Sequence, residues 1–228
     1  MGKKANLRIV IADDHRLFRE GLIALLLGEE NLVVAGEAAT GPDVLRVVEE
    51  IRPDVLLLDL FMPDLGGPEV LPKIRDRSPA TKVLLLTNKF DQEPVFRALW
   101  EGARGYLQKS ASSEELLKAI RVVHAGEAWI ERSVMSHLLE EFPRQEERMV
   151  RRRGRSVGLL SKREAEVARF VAEGLSNKEV ANRLAISEKT VKSHLASIFR
   201  KLQLRHRLQL ALYTLQRESS PDDRSEPE

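Results

Sequence analysis

The chain has 228 residues and a formal net charge of +2, a length sufficient for two ordinary domains that each bury a core. Its longest aliphatic run covers residues 22–27, which is far shorter than the roughly 20 residues of a membrane span. The lysines near the start precede no signal-like apolar core, so we expect a cytoplasmic protein with no membrane partner. The absence of cysteine excludes disulfide frameworks, thiol nucleophiles and cysteine zinc sites.

Charge is distributed unevenly along the chain. Residues 1–130 carry 17 basic and 20 acidic side chains, whereas residues 161–215 carry 11 basic and 5 acidic ones. A basic block of this kind favours a polyanionic partner, although a solvated helical face would carry the same charges.

Short aliphatic runs alternate with helix-length amphipathic stretches from residue 7 to about residue 125. The runs predict strands at Leu7–Ala12, Leu32–Glu37, Val55–Asp59, Lys82–Thr87 and Gly105–Leu107. The stretches predict helices at about Arg16–Leu27, Pro42–Ile51, Pro68–Arg77, Glu93–Glu101 and Ser113–Ala125. Five β-α units in this order predict a doubly wound α/β fold with a five-stranded parallel sheet.

The second half of the chain has a different character. A charge-rich stretch from Glu140 to Gly158 has no sustained apolar period, so we assign residues 1–126 to a first domain and residues 127–157 to a linker. Residues 158–216 predict a small all-α domain of four helices, and residues 217–228 predict a disordered tail. Two helix starts have the S-x-x-E spacing of a capping box, at Ser161 and at Ser176.

An aspartate at the end of a fully apolar strand needs a partner. Asp59 stands at such a position, where an isolated carboxylate would be costly to bury. In a parallel sheet of strand order 2-1-3-4-5, ligands bind between strands one and three, so Asp13 and Asp14 would converge on Asp59. Carboxylates so close repel each other unless a cation holds them, and a few hard oxygen ligands suit Mg²⁺.

Two further strand ends carry groups that phosphoryl chemistry uses. Thr87 supplies a hydroxyl and Lys109 a mobile ammonium. A carboxylate can itself be the nucleophile and form an aspartyl phosphate. A single aspartate after a strand is more often a loop or cap residue, and it is the convergence of five groups on one sheet edge that favours a phosphoryl site.

The basic block contains a candidate DNA-reading helix. Ser187 is placed to cap a helix that runs to about Leu202. Its apolar residues at helical spacing would face the core: Val191, Leu195, Ile198 and Leu202. The remaining small and cationic residues would face outward and can enter a major groove, as in a helix-turn-helix. A solvated helix is the alternative, and His194, with no neighbouring ligand, is interpreted as a packing or backbone-contact residue.

The first half resembles the receiver domain of bacterial two-component response regulators. The motifs that carry the resemblance are ADDH at residues 12–15, LLLDLFMPD at 56–64, LLT at 85–87 and GARGYLQKS at 102–110. The resemblance implies that Asp59 accepts a phosphoryl group from a histidine kinase. The implied Mg²⁺ ligands are Asp13, Asp14, Asp59 and the backbone carbonyl of Phe61. The implied contacts of the phosphoryl group are Thr87 and Lys109, and Tyr106 would be an aromatic switch, although from the residues alone it could equally be a packing residue.

The second half resembles the LuxR-type helix-turn-helix of the NarL/FixJ family over LSKREAEVARFVAEGLSNKEVANRLAISEKTVKSHLASIFRKLQL, residues 160–204. The resemblance implies that Lys192 and Ser193 reach base edges of double-stranded DNA, with Ala196 alongside. The implied contacts to the DNA backbone are Lys189, Thr190 and Lys201. The last helix, about Arg207–Leu215, would form the face of a homodimer.

Together the two resemblances imply a transcriptional regulator, not an enzyme, that is switched by phosphorylation through release of the DNA module, through dimerisation, or both. An aspartate-dependent phosphatase would need a second carboxylate where Phe61 stands. A ligand-sensing transcription factor would need an apolar pocket in place of the acidic cleft. A regulator that keeps the receiver fold but ignores phosphate is the remaining alternative.

Overall fold

The structure is a computed structural model that describes residues 6–64, 67–130, 160–202, 204 and 207–218. The chain divides into two compact units, residues 1–130 and residues 131–228. Most of the predicted linker and all of the predicted tail after residue 218 lie outside the described residues. The first unit includes residues 127–130, which the sequence assigned to the linker.

The first unit is the predicted α/β fold. Its strands are β1 Leu7–Ala12, β2 Leu32–Ala38, β3 Val55–Asp59, β4 Lys82–Thr87 and β5 Gly105–Gln108. Its helices are α1 Arg16–Leu27, α2 Gly41–Ile51, α3 Gly67–Arg77, α4 Gln92–Glu101 and α5 Ser113–His124. All strand pairs are parallel and the order is β2-β1-β3-β4-β5, which confirms the predicted fold class.

The burial of β3 explains why its sequence is apolar throughout. All five residues of β3 are buried, because β3 is the middle strand and helices cover both faces of such a sheet. Helix starts follow their sequence signals: Ser112 and Glu115 form a capping box at α5, and Thr40 Oγ1 accepts the Asp43 amide at α2. These caps fix where the loops at the sheet edge begin and end.

Strand β5 has a neighbour that the sequence did not predict. The Trp129 amide donates to the Arg104 carbonyl at 3.0 Å, and the Tyr106 amide donates to the Trp129 carbonyl at 3.2 Å. Gly105 lies directly opposite Trp129 in a parallel bridge, and a Cβ atom at this glycine would overlap the Trp129 carbonyl oxygen. Glycine at residue 105 is therefore required for this close approach.

The second unit is all-α over the part that is described. Its helices are α6 Lys162–Ala172, α7 Asn177–Leu184, α8 Glu188–Leu202 and α9 Arg207–Glu218. The capping boxes predicted at Ser161 and Ser176 are both present. The turn between α7 and α8 passes through Ala185 in the left-handed region, with φ of 52°. Four helices with these caps and this turn confirm the prediction of a small all-α domain.

The core of the second unit is a single apolar cluster from all four helices, which includes Val167, Phe170, Val180, Leu195 and Leu210. The Arg207 guanidinium donates to Asn177 Oδ1 at 2.9 Å and to the Leu175 carbonyl, and so ties the start of α9 to the start of α7. Within the ranges described for both units, no helix has the length and apolar character needed to cross a membrane.

Candidate functional site

The carboxylates predicted at the ends of β1 and β3 do converge. Asp13 follows β1 with 0% of its surface exposed, and Asp59 ends β3 with 2% exposed. Lys109, which follows β5, reaches both: its Nζ atom lies 2.7 Å from Asp13 Oδ2 and 2.9 Å from Asp59 Oδ2. The parallel arrangement of β1, β3, β4 and β5 places these three strand ends at one edge of the sheet.

Backbone groups hold the two buried carboxylates in place. The His15 amide donates to Asp13 Oδ1 at 2.9 Å, and the Phe61 amide donates to Asp59 Oδ1 at 3.2 Å. The Arg19 guanidinium donates to the Asp13 carbonyl at 2.7 Å. Each carboxylate therefore presents its Oδ2 atom to Lys109, and the loops after β1 and β3 determine that orientation.

Electrostatics at the site follow from its burial. Burial raises the pKa of Asp59 above its ordinary value, although hydrogen bonds from Lys109 and the Phe61 amide act in the opposite direction. Burial alone would lower the pKa of Lys109, but hydrogen bonds and charge attraction from Asp13 and Asp59 outweigh it, so its pKa lies above the ordinary value. Lys109 therefore stays positively charged beside the carboxylates.

The donor set at this edge fits a divalent cation. Asp13, Asp14, His15 and Asp59 each offer a ligand atom, and these atoms all lie within 4.8 Å of one another. Asp13 Oδ2 is buried, and the Lys109 ammonium lies 2.7 Å from it. Three carboxylates and one ammonium leave two negative charges, which the charge of Mg²⁺ would balance.

The predicted phosphoryl-contact residue Thr87 also lies at this edge, and the predicted switch residue Tyr106 lies within β5. Thr87 is buried, and its hydroxyl donates to the Lys89 carbonyl at 2.6 Å. The Lys109 amide donates to the Thr87 carbonyl at 2.7 Å, so the ends of β4 and β5 are joined. Tyr106 is buried, with its ring centroid 5.4 Å from that of Phe90.

Two residues near the site were not singled out from the sequence. Phe18 lies under Lys109, with the ammonium 4.9 Å from the ring centroid, a cation-π arrangement. The imidazole of His15 contacts Asp13 and Asp14. The position of His15 next to the aspartate pair was a signal that sequence analysis could have used, whereas the stacking of Phe18 on Lys109 depends on the folded arrangement of α1 and β5.

Helix α8 presents most of the predicted DNA-contact residues on its outer face. Val191, Leu195 and Ile198 are buried as expected. The exposed residues are Lys189, Lys192, Ser193 and Ala196. Thr190 is half-buried, and its hydroxyl lies 2.8 Å from that of Ser187, whose Oγ accepts the Thr190 amide and so caps the helix. The cap formed by Ser187 therefore fixes the start of α8, where its cationic outer face begins.

Lys201 has a different environment from the other predicted contacts. Its Nζ atom lies 2.7 Å from Glu164 Oε2, and the Ser197 hydroxyl donates to Glu164 Oε1 at 2.8 Å. Only 4% of Glu164 is exposed. The bond from Lys201 and that from the Ser161 amide lower the pKa of Glu164 to about 2. The sequence identified Glu164 as a capping residue but gave no signal for its ion pair with α8.

Two protein families match the chain. The first, described as the response regulator receiver domain, matches residues 9–121. The second, described as bacterial regulatory proteins of the luxR family, matches residues 158–214. The two matches correspond to the two units of the structure.

Individual relatives match along almost the whole chain. An uncharacterized transcriptional regulatory protein YhcZ of Bacillus subtilis is 40% identical and covers 92% of this chain and 95% of its own length. The oxygen regulatory protein NreC of Staphylococcus aureus is 39% identical and covers 92% of this chain and 98% of its own length.

Solved structures match in the same way. The RcsB response regulator of Salmonella typhimurium is 27% identical, with a TM-score of 0.54 over 92% of this chain and 98% of that chain. A further structure, of two RcsB dimers bound to two parallel DNAs, is 28% identical, with a TM-score of 0.53 over the same shares.

Proposed function

The chain belongs to the two-component response regulators of the NarL/FixJ type, in which a receiver domain precedes a LuxR-type helix-turn-helix domain, and on this premise we propose that phosphorylation of Asp59 by a histidine kinase switches its binding to DNA. The family consists of DNA-binding transcriptional regulators, not enzymes that turn over a separate substrate. Because the proposed target is promoter DNA, we propose that the protein acts in the cytoplasm.

The observation that carries this proposal is the contact of one lysine with two buried aspartates. Lys109 Nζ lies within 3 Å of carboxylate oxygens of both Asp13 and Asp59. A structural role alone would not require two carboxylates to be buried side by side, because their mutual repulsion costs free energy. A site that receives a phosphoryl group needs this arrangement of a nucleophile with positive charge beside it.

In the proposed transfer, a carboxylate oxygen of Asp59 attacks the phosphorus atom of a phosphohistidine on the kinase. A P–O bond forms, the P–N bond breaks, and the histidine nitrogen leaves with the electron pair. Lys109 neutralises charge on the phosphoryl oxygens, and the Thr87 hydroxyl donates to one of them. Asp13, Asp14 and Asp59, with the backbone carbonyl of Phe61, would hold Mg²⁺. When bound, this ion supplies positive charge beside the phosphoryl oxygens.

The proposed switch involves Thr87 and Tyr106. The Thr87 hydroxyl donates to the Lys89 carbonyl, a bond that it would exchange for one to the phosphoryl group. Movement of Thr87 would change the space beside Tyr106, which packs on Phe90. The phosphoryl group thereby favours one of two receiver conformations, and the population shifts toward the form that binds DNA.

The proposed DNA contacts lie on α8. Lys192 and Ser193 would reach base edges, with Ala196 in apolar contact, for example with a thymine methyl. Lys189, Thr190 and Lys201 would contact phosphates. A homodimer would place two such helices at half-sites about one helical turn apart or a multiple of it. The RcsB structure with two dimers on DNA supports this arrangement by similarity.

The first experiment would incubate the full chain with Mg²⁺ and a small acyl-phosphate donor, beside the variant Asp59→Asn. Intact mass, oligomeric state and affinity for genomic DNA fragments at fixed salt would be measured. We expect the wild type to gain one phosphoryl group and to bind DNA more tightly, and the variant to do neither. Tighter binding with a doubled mass in solution indicates dimerisation, whereas tighter binding by a monomer indicates release.

A regulator that ignores phosphate is not favoured, because the chain has the full set of receiver residues and the two-domain organisation of its family. The experiment still separates the two functions. A wild type that gains no phosphoryl group from the donor or from any histidine kinase, and binds DNA equally with and without them, would overturn the phosphorylation switch.

A further inference from the structure

Residues 127–130, which we call the strap, lie along the outer edge of β5 and are bonded to the residue proposed as the switch. The Tyr106 amide donates to the Trp129 carbonyl at 3.2 Å, and the Trp129 amide donates to the Arg104 carbonyl at 3.0 Å. Gly105 lies opposite Trp129 in a parallel bridge. The segment that leads out of the receiver domain is therefore attached to β5 at Tyr106.

Two glycines and one aromatic ring hold the strap in this position. Gly126 has φ of 87°, in the region that favours glycine, and it follows α5 directly, where the chain turns back toward the sheet. At Gly105 a Cβ atom would overlap the Trp129 carbonyl oxygen. The Trp129 ring packs against the apolar core that includes Leu107, and the Lys118 ammonium lies 5.9 Å from the ring centroid. The strap is therefore a packed part of the receiver domain.

The strap and the switch ring lie on opposite faces of β5. Successive side chains of a strand point to opposite faces, so the Tyr106 ring lies on the face away from Leu107 and Trp129. On that face Tyr106 is 3% exposed, with its ring centroid 5.4 Å from that of Phe90. The link between the two is thus the backbone N–H of Tyr106. Its bond of 3.2 Å is at the long end of the usual range, so a shift of the Tyr106 backbone would break it readily.

We propose that the strap is a phosphorylation-sensitive tether, which is bonded to β5 while Tyr106 has the position described above and loosens when phosphorylation of Asp59 moves Tyr106. The inference rests on the proposed phosphorylation and on the proposed switch of Thr87 and Tyr106. The chain continues from Ile130 toward the DNA-binding domain, so a loosened strap lengthens the connection between the two domains. Four freed residues add about 13 Å to its reach. The strap would in this way couple the receiver site to release of the DNA-binding domain.

A simpler role for the strap is to cover the edge of β5 permanently. In that role its hydrogen bonds and the surroundings of Trp129 would be the same before and after phosphorylation. The two roles therefore differ in the exchange rate of the Tyr106 amide hydrogen and in the fluorescence of Trp129.

The first test uses the full chain with Trp100→Phe, which leaves Trp129 as its single tryptophan. The protein is phosphorylated with Mg²⁺ and a small acyl-phosphate donor, and intact mass confirms the gain of one phosphoryl group. We expect the Trp129 emission to shift to longer wavelength and to become more accessible to acrylamide. Exchange of the Tyr106 amide hydrogen should become about tenfold faster, since exchange reports local opening. Asp59→Asn in the same background should show neither change.

The second test loosens the strap without phosphorylation. Gly126→Ala strains the turn after α5 but removes no core side chain, and its new Cβ meets nothing within 4 Å. We expect the unphosphorylated variant to bind genomic DNA fragments more tightly than the unphosphorylated wild type, and its gain on phosphorylation to be smaller. The matched control is Gly102→Ala, which introduces the same kind of strain after α4, at φ of 127°, and also meets nothing within 4 Å. The control should keep the full gain of the wild type.

Three outcomes would overturn the inference. A protein that gains a phosphoryl group and binds DNA more tightly, while Trp129 emission and Tyr106 exchange stay unchanged, would overturn the tether and leave the phosphorylation switch intact. Equal DNA affinities of Gly126→Ala and Gly102→Ala in both phosphorylation states would do the same. A wild type that gains no phosphoryl group from the donor or from any histidine kinase would overturn the proposed function and the tether with it.

Discussion

Lys109 and Asp59 form an ion pair in the interior of the receiver domain, with Nζ and Oδ2 2.9 Å apart and both side chains less than a tenth exposed. Since Asp13 shares the same ammonium, Lys109 neutralises charge that would otherwise be buried without compensation. Removal of one partner from such a pair is strongly destabilising.

For Lys109→Met we expect a loss of about 3 kcal/mol in the free energy of unfolding of the first unit, because two buried carboxylates lose their cation while the apolar stem is kept. Urea unfolding followed by tryptophan fluorescence measures it, since Trp100 and Trp129 both lie in this unit. Lys73→Met, at an exposed lysine of α3, is the control and should change stability little. Equal stability of the two variants would contradict the prediction.

Phe61 is expected to slow the loss of phosphate from Asp59. It is 49% exposed, and its amide is bound to the acceptor carboxylate, so its ring is close to the path that water would take. Replacement by a polar residue should admit water and raise the rate of acyl-phosphate hydrolysis severalfold. The rate would be measured by phosphate release from phosphorylated wild type, Phe61→Asn and the apolar control Phe61→Leu. A Phe61→Asn variant that loses phosphate no faster than wild type would refute this role.

The buried ion pair of Glu164 should stabilise the DNA-binding domain in a pH-dependent way. Its folded pKa of about 2 lies below the ordinary value of 4.5, so its contribution is complete above about pH 4.5 and is lost as the pH falls through about 2. Glu164→Gln keeps a capping-box residue but removes the charge. We expect Glu164→Gln to lower the free energy of unfolding by about 1 to 2 kcal/mol at pH 7. This value is smaller than the pKa shift alone would give, because Lys201 is partly exposed and solvent screens the ion pair.

Denaturation followed by circular dichroism at pH 7 and pH 3 would measure this effect, and the gap between Glu164→Gln and wild type should narrow at pH 3. The control is Glu115→Gln, which changes the same type of capping box at an exposed residue. A gap of the same size at both pH values would show that the charge of Glu164 does not stabilise the domain.

Gly105→Ala should destabilise the first unit. The added methyl group would overlap the Trp129 carbonyl and break the bridge between this segment and β5. A loss of about 1 to 3 kcal/mol is expected from the steric strain and the lost hydrogen bonds. In Gly21→Ala, by contrast, the new Cβ meets nothing within 4 Å on helix α1, and a gain of roughly 0.5 to 1 kcal/mol is expected. Thermal unfolding would measure both variants, and a Gly105→Ala variant as stable as the wild type would show that the bridge does not stabilise the first unit.

Lys189 and Lys192 should differ in what they contribute to DNA binding. Lys192→Ala is expected to weaken the free energy of DNA binding by about 1 to 3 kcal/mol and to relax the sequence preference at one base pair. Lys189→Ala should weaken binding to all sequences and reduce the slope of log affinity against log salt by about 1. Each variant is the control for the other in binding titrations at several salt concentrations. Identical salt slopes and sequence preferences for the two variants would contradict the assignment.

Much of this fold could be predicted because its signals are local. Each strand begins where the aliphatic runs begin, and the serine caps of α6 and α7 were predicted directly from S-x-x-E spacing. The convergence of Asp13, Asp59 and Lys109 was predictable as well, because parallel strands end at a common edge.

Contacts between distant segments had no such signal. The ion pair of Glu164 with Lys201 joins residues 37 positions apart in sequence. The pairing of Trp129 with β5 depends on how the chain turns after α5, which a single tryptophan does not encode. The imidazole of His15 was visible in the sequence, but its approach to Asp14 depends on the backbone that precedes α1.

The bridge at Trp129 has a consequence for how the receiver domain behaves outside its full chain. A fragment that ends at residue 126 would leave the outer N–H and C=O groups of β5 open, and such an edge pairs readily with another molecule and promotes aggregation. A fragment that continues through residue 130 retains the hydrogen bonds from Trp129 to Arg104 and Tyr106. The few residues after α5 therefore protect the edge of β5 from pairing with a strand of another molecule.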